Sequence, residues 1–343
     1  MILLLSTSDT DLLSARASTA DYRLGNPARI AMAELSALLL DADVVIVRIL
    51  GGRRMWPDGL DTVLASGRPV VVLGGEAVPD AELMELSTVH GGVIAEAHAY
   101  LANGGPANLA QLYRFLSDAI LFTGLGFDPP GPTPTWGTLE RPAPVTDGPT
   151  VAVLYYRAHQ LAGNTAFVHA LCDAIEVAGG RAMPVFCASL RAAEPALLAA
   201  LRQADVLVVT VLAAGGARPA AVGAGGTDED WDVGALAALD VPILQGLCLT
   251  SSRQDWLRSD AGLSPLDAAN QVAIPEFDGR LITVPFSFKE IGPDGLTSYV
   301  ADPERAARVA GIALAHATLR HVPATDRRVV LMLSAYPTKH SRI

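Results

Sequence analysis

Apolar residues in this chain fall into two kinds of pattern. Some form short unbroken runs: Ile2 to Ser6, Val44 to Leu50, and Pro69 to Glu76, which ends with paired glycines inside it. Runs of that length without alternation predict strands buried on both faces. Between the runs, apolar positions recur every three or four residues. Ile30, Met32, Leu35, Leu38 and Leu39 share one side of a helix predicted over 28–40, and further helices are predicted over 60–65, 80–86, 92–101 and 107–122. The string STSDTD after the first run supplies N-cap residues for a helical start. Strands separated by helices imply parallel pairing through right-handed crossovers.

The rhythm then breaks. Residues 126–148, GFDPPGPTPTWGTLERPAPVTDG, are too rich in proline and glycine for a regular helix or a central strand, and predict a linker. A second unit starts with the strand TVAVLYY, then a helix to Val177 for which Asn164 is a candidate cap and Gly179-Gly180 a stop. Next come AMPVFCAS, a helix over 194–203, ADVLVVTV, a small-residue loop over 212–231 and VPILQGLCLT. Segment 264–290 reads as a helix, a turn at PEFDG and an extended stretch, and 302–320 as an amphipathic helix. Val329 to Leu333 predicts one more strand, with a loop running to Ile343. The expected fold is α/β: two consecutive Rossmann-like or flavodoxin-like domains with mainly parallel sheets, over 1–125 and 149–325. The linker 126–148 would join them, and 326–343 would open a further domain. A last strand and loop without a crossover helix predicts a piece cut from a longer protein.

With 343 residues, half of them hydrophobic, the chain has material for about two buried cores. A formal net charge of −11 and the lack of a basic run exclude an electrostatic footprint for nucleic acid and give little attraction to anionic membranes. The start lacks the parts of a signal peptide, and no apolar run is long enough to span a bilayer, so the expected location is the cytoplasm. Cys172, Cys187 and Cys248 are odd in number and lack metal-ligand spacing, which predicts reduced structural thiols. There is no Walker-type phosphate loop, no GxGxxG after a strand, no HExxH and no GxSxG.

What remains is a set of polar residues at strand ends, where loops after parallel strands converge on one crevice. Arg157, His159 and Asn164 come after TVAVLYY, and Gln245 lies in QGLCLTS. Glu276 and Asp278 sit in the PEFDG turn, Lys289 stands beside Glu290, and Lys339 beside His340. Lys289 and Lys339 are the only lysines, in places where a compact ammonium replaces the usual guanidinium. Carboxylates and a neutral imidazole accept protons from an NH group and hold divalent ions weakly, while Lys and Arg pair ligand carboxylates. Each residue also has a structural reading: a β-turn for EFDG, a solvated edge pair for Lys289-Glu290, a loose chain end for His340. The histidines at 90, 98, 316 and 321 read as surface or helix-end residues.

As ordered strings, these segments resemble one family. LLLSTSDTDLLSAR, NPAR, PTPTWGTLERP, VAVLYYRAHQLAGNTAFVHALCDAIE, ILQGLCLTS, SPLDAANQVAIPEFDGRLITVPFSFKE and VVLMLSAYPTKHSRI are similar to the N-terminal part of the large subunit of aerobic cobaltochelatase, the CobN family. PEFDG is also similar to a Pro-Glu-x-Asp-Gly string in the large subunit of magnesium chelatase. The resemblance implies a ligase-type metal chelatase of aerobic cobalamin biosynthesis. Its substrates would be hydrogenobyrinic acid a,c-diamide and Co2+, and its partners AAA+ ATPase subunits that hydrolyse ATP, none being bound by this chain. On that reading Glu276 and His340 would carry the proton transfers. Arg157, His159, Asn164, Gln245, Asp278, Lys289 and Lys339 would contact substrate, and metal ligands stay unassigned. The chain alone would be inactive. Two other readings stay open: a non-catalytic lid or ATPase-docking module of the chelatase, and a free-standing two-domain α/β ligand-binding protein.

Overall fold

The first four strands, β1 (Ile2–Ser6), β2 (Tyr22–Gly25), β3 (Val44–Ile49) and β4 (Val70–Gly74), pair in parallel in the order β2-β1-β3-β4. The computed structural model describes residues 1–76, 78–142, 147–190, 193–211, 234–293 and 295–332. Helices α1 (Asp9–Ala17), α2 (Met32–Asp41), α3 (Pro57–Ala65), α4 (Ala81–Met84), α5 (Gly91–Asn103) and α6 (Gly105–Leu121) cover this sheet. Successive β1 residues serve opposite faces. Ile2 and Leu4 join a core with Tyr100, Leu112 and Leu116, whereas Leu3 and Leu5 join another with Leu35, Leu60 and Val63. Helices on both faces are why the runs are unbroken. Helix α2 begins at Met32, later than the periodicity predicts. Asn26 accepts hydrogen bonds from the amides of Ala28, Arg29 and Ile30, and this turn delays the helix. Strand β2, half-exposed and four residues long, carries too little apolar pattern to be read from sequence.

The second sheet has seven strands in the order β11-β10-β9-β8-β6-β7-β5. They are β5 (Trp136–Thr138), β6 (Thr150–Tyr156), β7 (Arg181–Cys187), β8 (Val206–Val209), β9 (Ile243–Leu249), β10 (Leu281–Ile291) and β11 (Thr297–Ala301). The inner five are parallel, and the two outermost strands are antiparallel to their neighbours. Between them run α7 (Arg157–Leu161), α8 (Ala166–Val177), α9 (Pro195–Leu201), α10 (Gly234–Ala237), α11 (Arg253–Arg258), α12 (Pro265–Asp267), a π-helical turn (Ala268–Ala273) and α13 (Ile274–Phe277), with α14 (Pro303–His321) after β11. In chain order the parallel strands of both sheets begin 2-1-3-4, the flavodoxin-like arrangement, so the α/β expectation holds. Each sheet reverses direction of growth beside its first strand, between β1 and β3 and between β6 and β8.

Segment 126–148, expected to be a plain linker, carries β5, the outermost strand of the second sheet, while 143–146 lie outside the described residues. An edge tolerates such a sequence because one side of the strand needs no partner. The same segment returns to the first unit. Asn108 exchanges hydrogen bonds with Gly131 of 2.9 and 3.0 Å, and Thr133 Oγ1 donates to the Asn103 carbonyl at 2.7 Å. The strand predicted over Val329 to Leu333 is not formed by its described part. Val329, Val330, Leu331 and Met332 are irregular and more than 80% exposed, and among the described residues no strand lies beside them to supply a ladder. Residues 333–343, and with them Lys339 and His340, lie outside the described residues, as does the loop 212–231. Among the described residues no helix is long and apolar enough to cross a membrane.

The β10–β11 hairpin fastens the two units together. Leu296, at its tip, is 6% exposed and belongs to the core of the first sheet, together with Ala162 just after α7. Gly295 makes the turn at φ +73°, a left-handed conformation that favours glycine, and its carbonyl accepts from Arg29 at 3.4 Å. Ser14 Oγ donates to the Leu161 carbonyl at 3.3 Å.

Candidate functional site

The carboxyl ends of β1 and β6, one strand from each reversal point, meet at a cleft of about 210 Å3. Its walls come from both units: Thr7, Asp9, Thr10 and Leu13 from the first, and His159, Asn164, Lys289, Thr297 and Tyr299 from the second. Ligands of open α/β sheets bind at such carboxyl-end crevices.

Asp9, the first residue of α1, is the centre of the cleft. Its Oδ1 accepts from Asn26 at 3.0 Å and from the Arg29 guanidinium, and its Oδ2 from Thr297 Oγ1 and the Lys289 ammonium, the last at 3.0 Å. Burial alone pushes its carboxyl up, but hydrogen bonds from Arg29, Thr297 and Lys289 outweigh it and hold the group well below the usual carboxylate range. Two cations therefore face one carboxylate.

His159 lies opposite, half-buried among aromatic rings. The Phe167 and Tyr299 rings meet it edge-on, each 5.2 Å away between centroids. Asn164 Nδ2 approaches its Nδ1 at 3.4 Å. Burial, then the charge of Lys289, push the imidazole down to about 4, so it is neutral at physiological pH. A neutral imidazole beside an ammonium is a hydrogen-bonding group and a weak base.

The candidate residues read from sequence thus divide. His159, Asn164 and Lys289 come together in this cleft. Asn164 does not cap α8; its Oδ1 instead accepts from the Tyr299 amide at 3.0 Å, tying α8's approach to β11. Lys289 and Glu290 are no edge pair. Successive strand residues face opposite sides, so Lys289 reaches Asp9 while Glu290 accepts from the Arg253 amide at 2.8 Å. Arg157 is close in sequence but spends its guanidinium on backbone carbonyls, at 2.7 Å on Pro134, 3.0 Å on Asn103 and 3.4 Å on Thr133. It holds the 126–148 segment in place.

Gln245 and Asp278 belong to a different, fully buried network. Arg280 donates to Asp278 at 2.6 Å, to Gln245 Oε1 at 2.8 Å and to the Val211 carbonyl at 2.7 Å, and Gln245 donates to Gln271 at 3.2 Å. The Asp278 and Arg280 side chains are wholly shielded from solvent, a geometry that anchors chain rather than greets a ligand. EFDG turns as expected, at the end of a short helix: Ile274–Phe277 is helical, the Gly279 amide donates to the Glu276 carbonyl at 2.9 Å, and Gly279 has φ +72°. Glu276 is exposed and lines a separate, wider groove of about 890 Å3 at the amino ends of β9 and β10, with Phe277, Leu319 and Arg320. His98, expected at the surface or at a helix end, lies inside α5, is 8% exposed, and is depressed by burial and by the Arg48 charge. The three cysteines are unpaired and buried, as the sequence predicts. Among the described residues, no three His, Cys, Asp or Glu side chains group closely enough to hold a metal ion.

Sequence reasoning missed Asp9, Arg29, Thr297 and Tyr299. Asp9 was legible in part, because it comes after a buried strand in STSDTD, although that string reads first as caps. Thr297 and Tyr299 lie on a five-residue edge strand without a run or an alternation to announce it.

Comparison with known proteins then places the chain. The CobN/Magnesium Chelatase family model matches residues 98–343. The aerobic cobaltochelatase subunit CobN of Pseudomonas aeruginosa is 31% identical over all of this chain and 29% of its own length, and that of a Sinorhizobium species 30% identical over all of this chain and 30% of its own. The solved catalytic subunit of cobaltochelatase from Mycobacterium tuberculosis superposes with a TM-score of 0.79 at 63% identity, over 95% of this chain and 28% of that one. The chain spans under a third of the length of these relatives. It belongs to the CobN/magnesium chelatase family.

Proposed function

We propose that this chain is a head region of a cobaltochelatase large subunit, working in the cytoplasm. The complete subunit inserts Co2+, as substrate, into hydrogenobyrinic acid a,c-diamide, and AAA+ ATPase partners supply ATP hydrolysis. The observation that carries the reading is the polar cleft at the carboxyl ends of both sheets, where Lys289 and, from beside it, Arg29 reach Asp9, in a chain 63% identical to a cobaltochelatase catalytic subunit. Metal insertion requires the macrocycle to lose pyrrolic protons while the ion sheds water. It also requires the macrocycle to be held by its periphery so that its nitrogens stay open. A cleft of about 210 Å3 is smaller than the roughly 300–1,000 Å3 of pockets that enclose drug-sized ligands, so it suits a peripheral arm of a macrocycle and not the whole ring. Lys289 supplies the charge for a carboxylate arm, and His159 and Asn164 the neutral polar wall.

A second reading has its own support. Val329 to Met332 and Phe277 expose apolar side chains away from the cleft, as a lid or docking module would on the surface that meets another body. Titration with hydrogenobyrinic acid a,c-diamide, tracked by the ligand's visible absorbance, separates the two. Saturable binding to the chain that is lost in Lys289→Ala supports the head as part of the substrate site. Binding to a full-length subunit but not to this chain leaves the lid or docking reading.

A further inference from the structure

The cleft already contains a carboxylate. Asp9 is the one acidic side chain lining it among the described residues, and it holds Lys289, Thr297 and Arg29 in the way a bound anion would. These donors come from separate places in the chain: Arg29 from the turn before α2, Lys289 from β10 and Thr297 from β11. Of the three donors on an ammonium, Asp9 Oδ2 takes one, at 3.0 Å. The Lys289 side chain remains one-third exposed and lines the cleft. The opposite wall is His159, neutral and therefore neither attracting nor repelling an anion, with Asn164 behind it.

We propose that this cleft is a carboxylate-exchange site: a carboxylate arm of a ligand enters it and takes Lys289 and Thr297 from Asp9. Charge allows the exchange, because two cations serve one resident carboxylate. Arg29 stays with Asp9 on the first unit after the swap, so neither carboxylate is left without a cation. The swap also breaks the two Asp9 contacts to the β10–β11 hairpin, which loosens that hairpin from α1. Ligand capture and the fit between the two units are thereby coupled. As to which ligand supplies the arm, the inference rests on the chelatase reading; as to the chemistry of the cleft, it stands apart from it.

The test uses the 343-residue chain with two probes. Acetate is titrated while the imidazole resonances of His159 are monitored by NMR, and hydrogenobyrinic acid a,c-diamide is titrated by absorbance. In the wild-type chain acetate should shift His159 saturably and raise amide exchange over Thr297–Ala301. Asp9→Asn, which keeps the size of the side chain but removes its charge, should tighten binding of acetate about tenfold, the scale of one charge-assisted hydrogen bond. Lys289→Ala should abolish it. The proposal is overturned if acetate leaves His159 unmoved in the wild-type chain, a result that needs no variant to fold, or if Asp9→Asn binds no tighter than wild type. Acetate binding without corrinoid binding keeps the exchange site and removes the chelatase substrate from it. Corrinoid binding that is indifferent to both substitutions keeps the chelatase reading and overturns the assignment of the corrinoid arm to this cleft.

Discussion

His159 shows how one side chain's surroundings set its chemistry. Its folded-state value near 4 lies below the 6.5 of an ordinary histidine, because burial and the Lys289 charge oppose the imidazolium. The unfolded chain therefore binds a proton that the folded chain refuses between pH 6.5 and about 4. The stability contributed by the neutral ring is complete above the upper value and is lost as pH falls toward the lower. Urea midpoints measured across that window should fall with pH, and should fall less in His159→Gln. His98 is shifted in the same direction, so the difference between the two chains, not the slope of either, reports His159. Equal slopes would mean that His159 is solvated. The burial of Asp278 has a different lesson. Its string, PEFDG, reads as chemistry in sequence, yet its carboxylate is committed to Arg280 inside the molecule. Residue type names what a group can do, and only its neighbours say what it is free to do.

Among the elements, α14 is legible from its period, and its packing comes from its small residues. Ala306, Val309, Ala310, Ala313 and Ala317 are buried against the second sheet and α8, and their size lets the helix approach closely. Gly180 permits the same approach, since a Cβ there would stand 2.5 Å from Leu314. Ala313→Leu should overpack this interface and lower stability by about 1–3 kcal/mol, read as a lower urea midpoint with an unchanged slope. An unchanged midpoint would show that the helix shifts freely. Buried central strands were legible because both faces are covered, so their runs are unbroken. Of the edge strands, β4 gave the same signal because both its faces are buried, and the others gave none. β2, β5 and β11 are short, half-exposed or glycine-containing, and exist because a neighbour offers a ladder. The converse holds for Val329 to Met332, whose composition is that of a strand but which has no neighbour to pair with among the described residues.

In the molecule as a whole, the two units meet through a hairpin tip and a shared carboxylate. Leu296→Ala would empty the place that β10–β11 fills in the first core, a loss of about 2–5 kcal/mol for a buried leucine. Amide exchange should accelerate first over α1 and β11, on either side of the contact, before the sheets themselves open. Uniform acceleration across both sheets would mean that the units unfold as one. The α/β class, the parallel central strands and the helices between them were readable from the chain alone, because they depend on local apolar period and on the need to bury both faces. The family was readable too, through ordered strings that hold in register. The cleft was not. Asp9 and Thr297 stand 288 positions apart, and their meeting depends on how two sheets are set against each other by Leu296, Gly295 and Arg29. No period or motif encodes that proximity in space, so the packing of the two units selects which polar residues share a site.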